Sequence, residues 1–363
     1  MRILLITREY PPYVKGGMSG IVVLMAKRSR QLGIHLTIIA NHPQLKTSLD
    51  LVNGIPVYRL PWLGSTFLTQ LPSFGYYASR LVKKLQDNHD VVYSNFSPLF
   101  GMIKRPFIVG FHATRFGEAR ACKEIGKPVP ALLNRLYIPF DRILIKKADG
   151  IIALTEKMAK EIRSVEDYEK EIEIIPGGVD TNIFRPLKYR DFSSPEKIVL
   201  YVGRLDSRKG VDILIHAIKL LDRNIKTRLI VAGEGKEREK LSQLADSLSI
   251  PVNFIGAVPH ESLPEIYNSA DLFVLPSLYE GHPLVALEAM ACGTPTLVSD
   301  ASPDIGIPRF KRGSVEELHQ ILLKTLFSEE TLNRLSKTSL GISKNYSWDH
   351  IVDQTFSFIR KFV

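Results

Sequence analysis

Two doubly wound α/β domains in tandem are what this sequence predicts, and three observations carry that expectation. The chain has 363 residues, more than one hydrophobic core usually fills. Short β-rich apolar runs alternate with longer amphipathic ones through the first half. The same alternation then restarts after an aperiodic interruption. A composition of 45% hydrophobic and 24% charged residues fits globular domains, not a disordered or fibrous chain.

In the first half, RILLIT (2–7), HLTIIA (35–40), PVYRL (56–60), DVVYS (90–94), PFIVGF (106–111), GIIAL (150–154) and IEIIP (172–176) read as strands. Helices are predicted over 20–32, 73–86, 129–147 and 155–164. The strand runs are apolar almost throughout, as in a parallel sheet covered on both faces. PGGVDTNIFRPLKYRDFSSPEK has Pro and Gly at one end, Ser-Ser-Pro at the other and no period between, which is a linker signature. After it IVLYVGRL (198–205), RLIVAG (228–233), VNFIGA (252–257), DLFVLPS (271–277) and PTLVSD (295–300) read as strands. Helices are expected from about 210 and 236, near 261–269 and from Pro283. The resulting division is an N-terminal domain 1–178, a linker or hinge 179–195 and a C-terminal domain 196–345. The last segment, 346–363, has apolar residues at helical spacing and is predicted to pack back across the first domain.

Other classes are disfavoured by what the chain lacks. Cys122 and Cys292 stand far apart with no C-x-x-C pair, which argues against a disulfide framework or cysteine zinc site and fits a reducing cytosol. MRILLIT is too short for a signal peptide, and Arg8 and Glu9 follow at once. No apolar run reaches about 18 residues, so a soluble, cytoplasmic protein, or one resting on a membrane surface, is expected. Residues 1–150 hold 21 Lys+Arg against 8 Asp+Glu, whereas the remainder holds 27 against 30. The basic half reads either as a solubility feature or as a match for an anionic partner. Its basic residues are scattered without a reading module, so no nucleic acid is expected.

Three loops could carry chemistry. REYPPYVKGGMSG places Gly16 and Gly17 where the first strand turns into a helix. That loop suits a phosphate at a helix N-terminus, and equally a plain tight turn. It is not a dinucleotide fingerprint, which disfavours a nicotinamide oxidoreductase. In YVGRLDSRKG, Arg204, Arg208 and Lys209 follow the first strand of the second domain, where they suit a diphosphate or form a solvated basic turn. In SLYEGHPLVALEAMACGTP, Glu280 stands just before a predicted helix N-terminus, and Pro283 suits that helix's first turn. Glu288 lies about two turns further on, along an apolar face. A carboxylate there wants a hydrogen-bonding partner, and a ribose diol would be one.

The motifs GGMSG, GFHATR, ADGIIALTEKM, IIPGGVDTNIFRP, GRLDSRKG, AGEG, SADLFVLPSLYEG and the E-x7-E stretch with ALEAMACGTP occur in this order over nearly the whole chain. Together they resemble the retaining glycosyltransferases of family 4, which have the GT-B fold of two Rossmann-like domains facing each other across a cleft. The resemblance implies transfer of a sugar from a nucleotide-diphosphate sugar to an acceptor hydroxyl with retention of configuration. Arg204 and Lys209 would hold the donor diphosphate, Glu288 the ribose hydroxyls, and Glu280 the transferred sugar. His112 would sit near the anomeric region, with catalytic roles for Glu280, His112, Arg204 and Lys209. Gly16, Gly17, Glu234, Gly281, His282, Pro283 and Leu284 would complete the donor site.

No Asp-x-Asp occurs, which favours a metal-independent reaction, and no cofactor is expected because the nucleotide sugar is a substrate. Where many relatives read E-G-F-G, this chain has Glu280-Gly281-His282-Pro283, and the segment after Asp300 is short, which bears on donor-sugar choice. The alternatives of the same shape are a catalytically idle nucleotide-sugar binder and a nucleotide-sugar epimerase. The acceptor is expected to be a sugar or a lipid-linked, anionic molecule. Residues 61–85, with Trp62, Phe67, Phe74, Tyr76 and Tyr77 ahead of Arg80, Lys83 and Lys84, are the candidate contact with an anionic membrane.

Overall fold

The computed structural model describes all residues except 14–18, 43–45, 65–66, 96, 125, 127, 188–190 and 222–225. The chain folds as two compact units, one of Met1–Gly177 with Trp348–Val363, the other of Gly178–Ser347.

The first unit runs β1 (Arg2–Thr7), α1 (Ser19–Gln31), β2 (His35–His42), β3 (Ser48–Val52), β4 (Ile55–Pro61), α2 (Phe67–Leu85), β5 (Val91–Asn95), β6 (Phe107–Phe111), α3 (Arg115–Glu124), α4 (Pro128–Arg135), α5 (Ile138–Lys147), β7 (Gly150–Ala153), α6 (Glu156–Glu166) and β8 (Glu171–Ile174). Its sheet has the order β3-β4-β2-β1-β5-β6-β7-β8. Every residue of β5, β6 and β7 is buried, which is why these strands read as continuous apolar runs rather than alternating ones.

The second unit runs β9 (Lys197–Val202), α7 (Val211–Lys219), β10 (Thr227–Ala232), α8 (Arg238–Leu248), β11 (Val252–Gly256), α9 (Leu263–Ser269), β12 (Leu272–Leu275), α10 (Leu284–Ala291), β13 (Thr296–Ser299), β14 (Arg309–Phe310), α11 (Val315–Leu326) and α12 (Glu329–Ser343). Its parallel sheet has the order β11-β10-β9-β12-β13-β14. Successive strands build outward from β9 in one direction, then the chain returns to β9 and builds in the other. The topological switch point is therefore between β9 and β12. The last helix, α13 (Trp348–Arg360), belongs to the first unit, as expected. There Ile351, Val352, Phe356 and Ile359 join the cluster of Ile3, Val22 and Met25, and Arg28 pairs with Asp353 at 2.9 Å.

Several elements depart from the sequence reading. The stretch read as a linker or hinge packs onto the second unit, where Val179 and Phe184 enter the core. Leu187 N–H donates to Asn268 Oδ1 at 3.0 Å, and Asn268 Nδ2 returns a bond to the Arg185 carbonyl. The helix expected over 129–147 is two, α4 and α5, because Pro139 in the first turn of α5 cannot continue a preceding helix. Strand β3 was not expected. It pairs antiparallel with β4 through Asn53-Gly54, both at positive φ (49° and 77°), the left-handed pair a two-residue hairpin turn requires. Helices α11 and α12 were also unread, although Ser314 and Ser328 each cap one by accepting from the N–H three residues on.

The candidate membrane segment, 61–85, puts most of its described apolar groups inside, with Leu63 an exception. Leu71, Phe74, Ala78 and Val82 are buried, and Trp62 and Tyr77 pack against the same core. Tyr76 is exposed, with the Arg80 guanidinium 5.8 Å from its ring centroid, and Lys83 and Lys84 are exposed. The side chain of Phe67 lies outside the described residues.

Candidate active site

In the second unit the loops that leave the C-terminal ends of β9 and β12 are locked together at the switch point. Asp206 caps the short turn Ser207–Lys209 by accepting from Arg208 N–H, and its carboxylate grips the Arg208 guanidinium at 3.1 Å. Gly210 then turns into α7 at φ 64°, and a Cβ there would stand 2.2 Å from the Pro276 carbonyl oxygen. Only glycine allows that approach. Leu278 N–H donates to the Arg208 carbonyl at 2.7 Å, so the two loops share a backbone bond as well.

Across this junction Lys209 Nζ meets Glu280 Oε2 at 2.8 Å, and Ser277 Oγ donates to the same oxygen at 3.3 Å. The pair is largely shielded from water, with side-chain exposures of 18% and 11%. Arg204 stands exposed two residues beyond β9, its carbonyl held by the Tyr201 hydroxyl at 2.9 Å. Gly281, His282 and Pro283 form the turn into α10. The helix begins at Leu284 and Pro283 takes the N-cap position, one residue earlier than the first-turn place expected for it.

The loop after β10 closes against the loop after β9. Leu205 N–H donates to the Glu234 carbonyl at 2.9 Å, and a Cβ on Gly233 would lie 1.9 Å from the Gly203 carbonyl oxygen. The Glu234 side chain is half exposed and pairs with Arg238.

Glu288 has partners within the protein, which sequence reasoning did not foresee. Its Oε2 accepts from the buried Tyr267 hydroxyl at 2.8 Å, and Oε1 lies 3.6 Å from His260 Nε2. Hydrogen bonding to Glu288 raises the His260 pKa, and burial with the Glu288 charge raises that of Tyr267. A carboxylate accepts about four hydrogen bonds, so these contacts orient Glu288 without saturating it. The two glutamates of the E-x7-E stretch thus serve different walls: Glu280 faces the loop after β9, and Glu288 faces α9.

In the first unit His112 follows β6, and its Nε2 contacts Asn95 Oδ1, at the end of β5, at 2.6 Å. An amide oxygen only accepts, which makes Nε2 the protonated ring nitrogen. Close by in sequence, Arg115 opens α3, pairs with Glu118 at 2.6 Å and lies over the Tyr137 ring. Its backbone N–H donates to Asp141, whose burial pushes the carboxyl up to about 7. Burial, with a smaller contribution from the Arg115 charge, lowers the Arg8 pKa against the opposing effect of Glu9 and Glu118. Gly16 and Gly17 lie outside the described residues.

Arg59 is a residue the sequence reading missed. It sits on β4 with its side chain fully buried. Its guanidinium donates to the Tyr10 carbonyl at 2.9 Å, to the Pro11 carbonyl and to Asp50 at 3.1 Å, and it lies 5.2 Å from the centroid of the Tyr13 ring. It fastens the turn Tyr10–Tyr13, the root of the glycine loop. The signal that could have found it is Asn53-Gly54, which defines the hairpin pairing Asp50 with Arg59's strand.

Among the described residues no three His, Cys, Asp or Glu side chains gather where they could hold a metal ion, and no helix is long and apolar enough to cross a membrane.

Comparison with known proteins agrees with this architecture. Residues 15–183 match the family described as Glycosyltransferase Family 4, and residues 188–307 match Glycosyl transferases group 1. An uncharacterized glycosyltransferase of Methanocaldococcus jannaschii is 27% identical over 98% of this chain and 97% of its own. Mannosylfructose-phosphate synthase of Agrobacterium fabrum is 28% identical over 95% of this chain and 86% of its own. The solved structure of sucrose-phosphate synthase from Thermosynechococcus elongatus superposes with a TM-score of 0.79 over 99% of this chain and 98% of that one, at 20% identity. With two Rossmann-like units and both family matches in place, the chain belongs to the family 4, group 1 glycosyltransferases of GT-B fold.

Proposed function

We propose that this glycosyltransferase moves a sugar from a nucleotide-diphosphate donor to an acceptor hydroxyl with retention of anomeric configuration and without a metal ion. The observation that carries the donor site is the Lys209–Glu280 pair at the β9/β12 switch point, with Arg204 on the same loop. Ligands of open α/β sheets bind at such points. When the bond between the anomeric carbon and the phosphate oxygen breaks, the electron pair stays on the diphosphate. Arg204 and Lys209 would stabilise that charge as it forms, while the sugar acquires oxocarbenium character. Glu280, held by Lys209, would meet the transferred sugar, and Glu288, oriented by Tyr267, would take the ribose hydroxyls. His112, with Nε2 committed to Asn95, would face the anomeric region.

We assign the acceptor to the first unit and read it as anionic, with the excess of 21 Lys+Arg over 8 Asp+Glu in residues 1–150 in support. Residues 61–85 would offer an anionic surface only the basic face of Arg80, Lys83 and Lys84.

The test is a thermal-shift panel of nucleoside diphosphates and nucleotide sugars, since a ligand that binds only the folded state raises its melting temperature. No shift with any of them would refute the donor site. Product configuration by NMR should match that of the donor, and a chelator should leave the rate unchanged. An inverted product, or loss of activity restored by manganese, would overturn the mechanism. Glu280→Gln is expected mainly to slow turnover, and Glu288→Ala mainly to weaken nucleotide affinity. Equal effects of both on nucleoside diphosphate affinity would contradict the two assignments.

A further inference from the structure

Helix α4 is inside out. Val129, Leu132 and Leu133 on the helix, with Leu136 just beyond it, are spaced i, i+3, i+4, i+7, a stripe that ordinarily faces a core. Here it faces water, with exposures of 66%, 60%, 44% and 55%. The helix is seated by its small and polar side instead. Ala131 is buried, and Asn134 Nδ2 reaches Cys122 Sγ on α3 at 3.9 Å. Four aliphatic side chains on one stripe are more than scattered surface apolar residues account for.

The surroundings are basic. Across residues 115–147 the chain holds eight Lys+Arg against three Asp+Glu, and one of those acids, Asp141, is buried. Arg120 and Lys123 on α3, Arg135 on α4, and Arg142 and Lys146 on α5 are all exposed. The stripe contains only Val and Leu, whereas anchors of protein–protein interfaces are enriched in Trp and Tyr.

We propose that α4 with Leu136 docks the protein on an anionic lipid bilayer, the leucines entering the headgroup boundary and the flanking basic residues attracted to the lipid charge. This surface is distinct from residues 61–85, where Leu71, Phe74, Ala78 and Val82 are inside the fold, and it does not depend on the donor assignment.

The experiment is co-sedimentation of the full chain with vesicles of phosphatidylcholine alone and of phosphatidylcholine mixed with phosphatidylglycerol. Binding is expected to the mixed vesicles only, and to weaken as salt rises. The double variant Leu132→Asp with Leu133→Asp should lose about tenfold or more in affinity, since each buried leucine ordinarily contributes at least that much. Both positions are exposed, so the circular dichroism melt should stay that of the wild type. Lys83→Glu with Lys84→Glu should change binding far less. The proposal is overturned if neither vesicle binds, if the leucine variant binds as well as wild type, or if sedimentation velocity shows these leucines holding two copies together.

Discussion

Replacing Arg204 and Lys209 together by alanine is expected to lower the transfer rate by about 10³ or more while the second unit stays folded, because removing a single preorganised donor to developing charge typically costs about 10²–10³. Arg204 is exposed on its loop, so its loss removes a cation and little packing. Lys209 is different, because its ammonium is shielded and neutralises Glu280. Lys209→Ala alone therefore leaves a shielded carboxylate that keeps its hydrogen bond from Ser277, and some of its effect will come from Glu280. Comparing Lys209→Ala combined with Glu280→Gln against Glu280→Gln alone separates the two contributions: if the missing cation is what matters, the combined variant is still much slower than Glu280→Gln. Single-turnover rates with saturating donor are the measurement. A double variant of full activity would remove the diphosphate from this loop and with it the donor site.

Arg59→Met is expected to have the largest effect on stability, lowering that of the first unit by roughly 2–4 kcal/mol and its melting temperature by roughly 5–15 °C. Two carbonyls, of Tyr10 and Pro11, lose a charged donor inside the fold, where unsatisfied acceptors are costly. Asp50 is partly exposed and can be rehydrated, which keeps the effect below that of a fully buried broken pair. Because the arginine fastens the root of the glycine loop, kcat/KM measured well below the melting transition should fall as well. Arg59→Lys retains the charge but not the planar fork, so it should recover part of the stability and little of the rate. A melt unchanged in Arg59→Met would show that the turn Tyr10–Tyr13 holds itself.

Much of the architecture was legible because, apart from the β3–β4 hairpin, both sheets are parallel, and their central strands are buried. A strand covered on two faces must be apolar along its length, and β1, β5, β6, β9 and β12 announce themselves that way. The loops proposed for the donor site stood out for a related reason. They follow strand ends and are built of Gly, Arg, Lys and Glu that no core would require, whereas Glu288 lies within α10. What escaped were elements whose signals are local and short. Strand β3 alternates between half-exposed and exposed residues, and its evidence is the two-residue Asn53-Gly54 turn. The division of 129–147 turned on one proline.

By itself, then, the sequence determined two α/β units, the place of the loops after β1, β9, β10 and β12, and the chemical character of those loops. Tertiary structure alone decided the pairings. Lys209 and Glu280 are 71 positions apart, and they meet because the sheet order puts β12 beside β9. Glu288 faces Tyr267 rather than an empty space because α9 packs against α10, which no periodicity within α10 could reveal. Arg59 reads as an ordinary strand residue until the hairpin brings Asp50 to it and the β1 loop lays two carbonyls across it. Val129, Leu132, Leu133 and Leu136 carry the pattern of a core face, yet α4 is seated on Ala131 and Asn134. Hydrophobic period records which residues share a face. Which face is buried depends on the partner surface, and that is set by the rest of the chain.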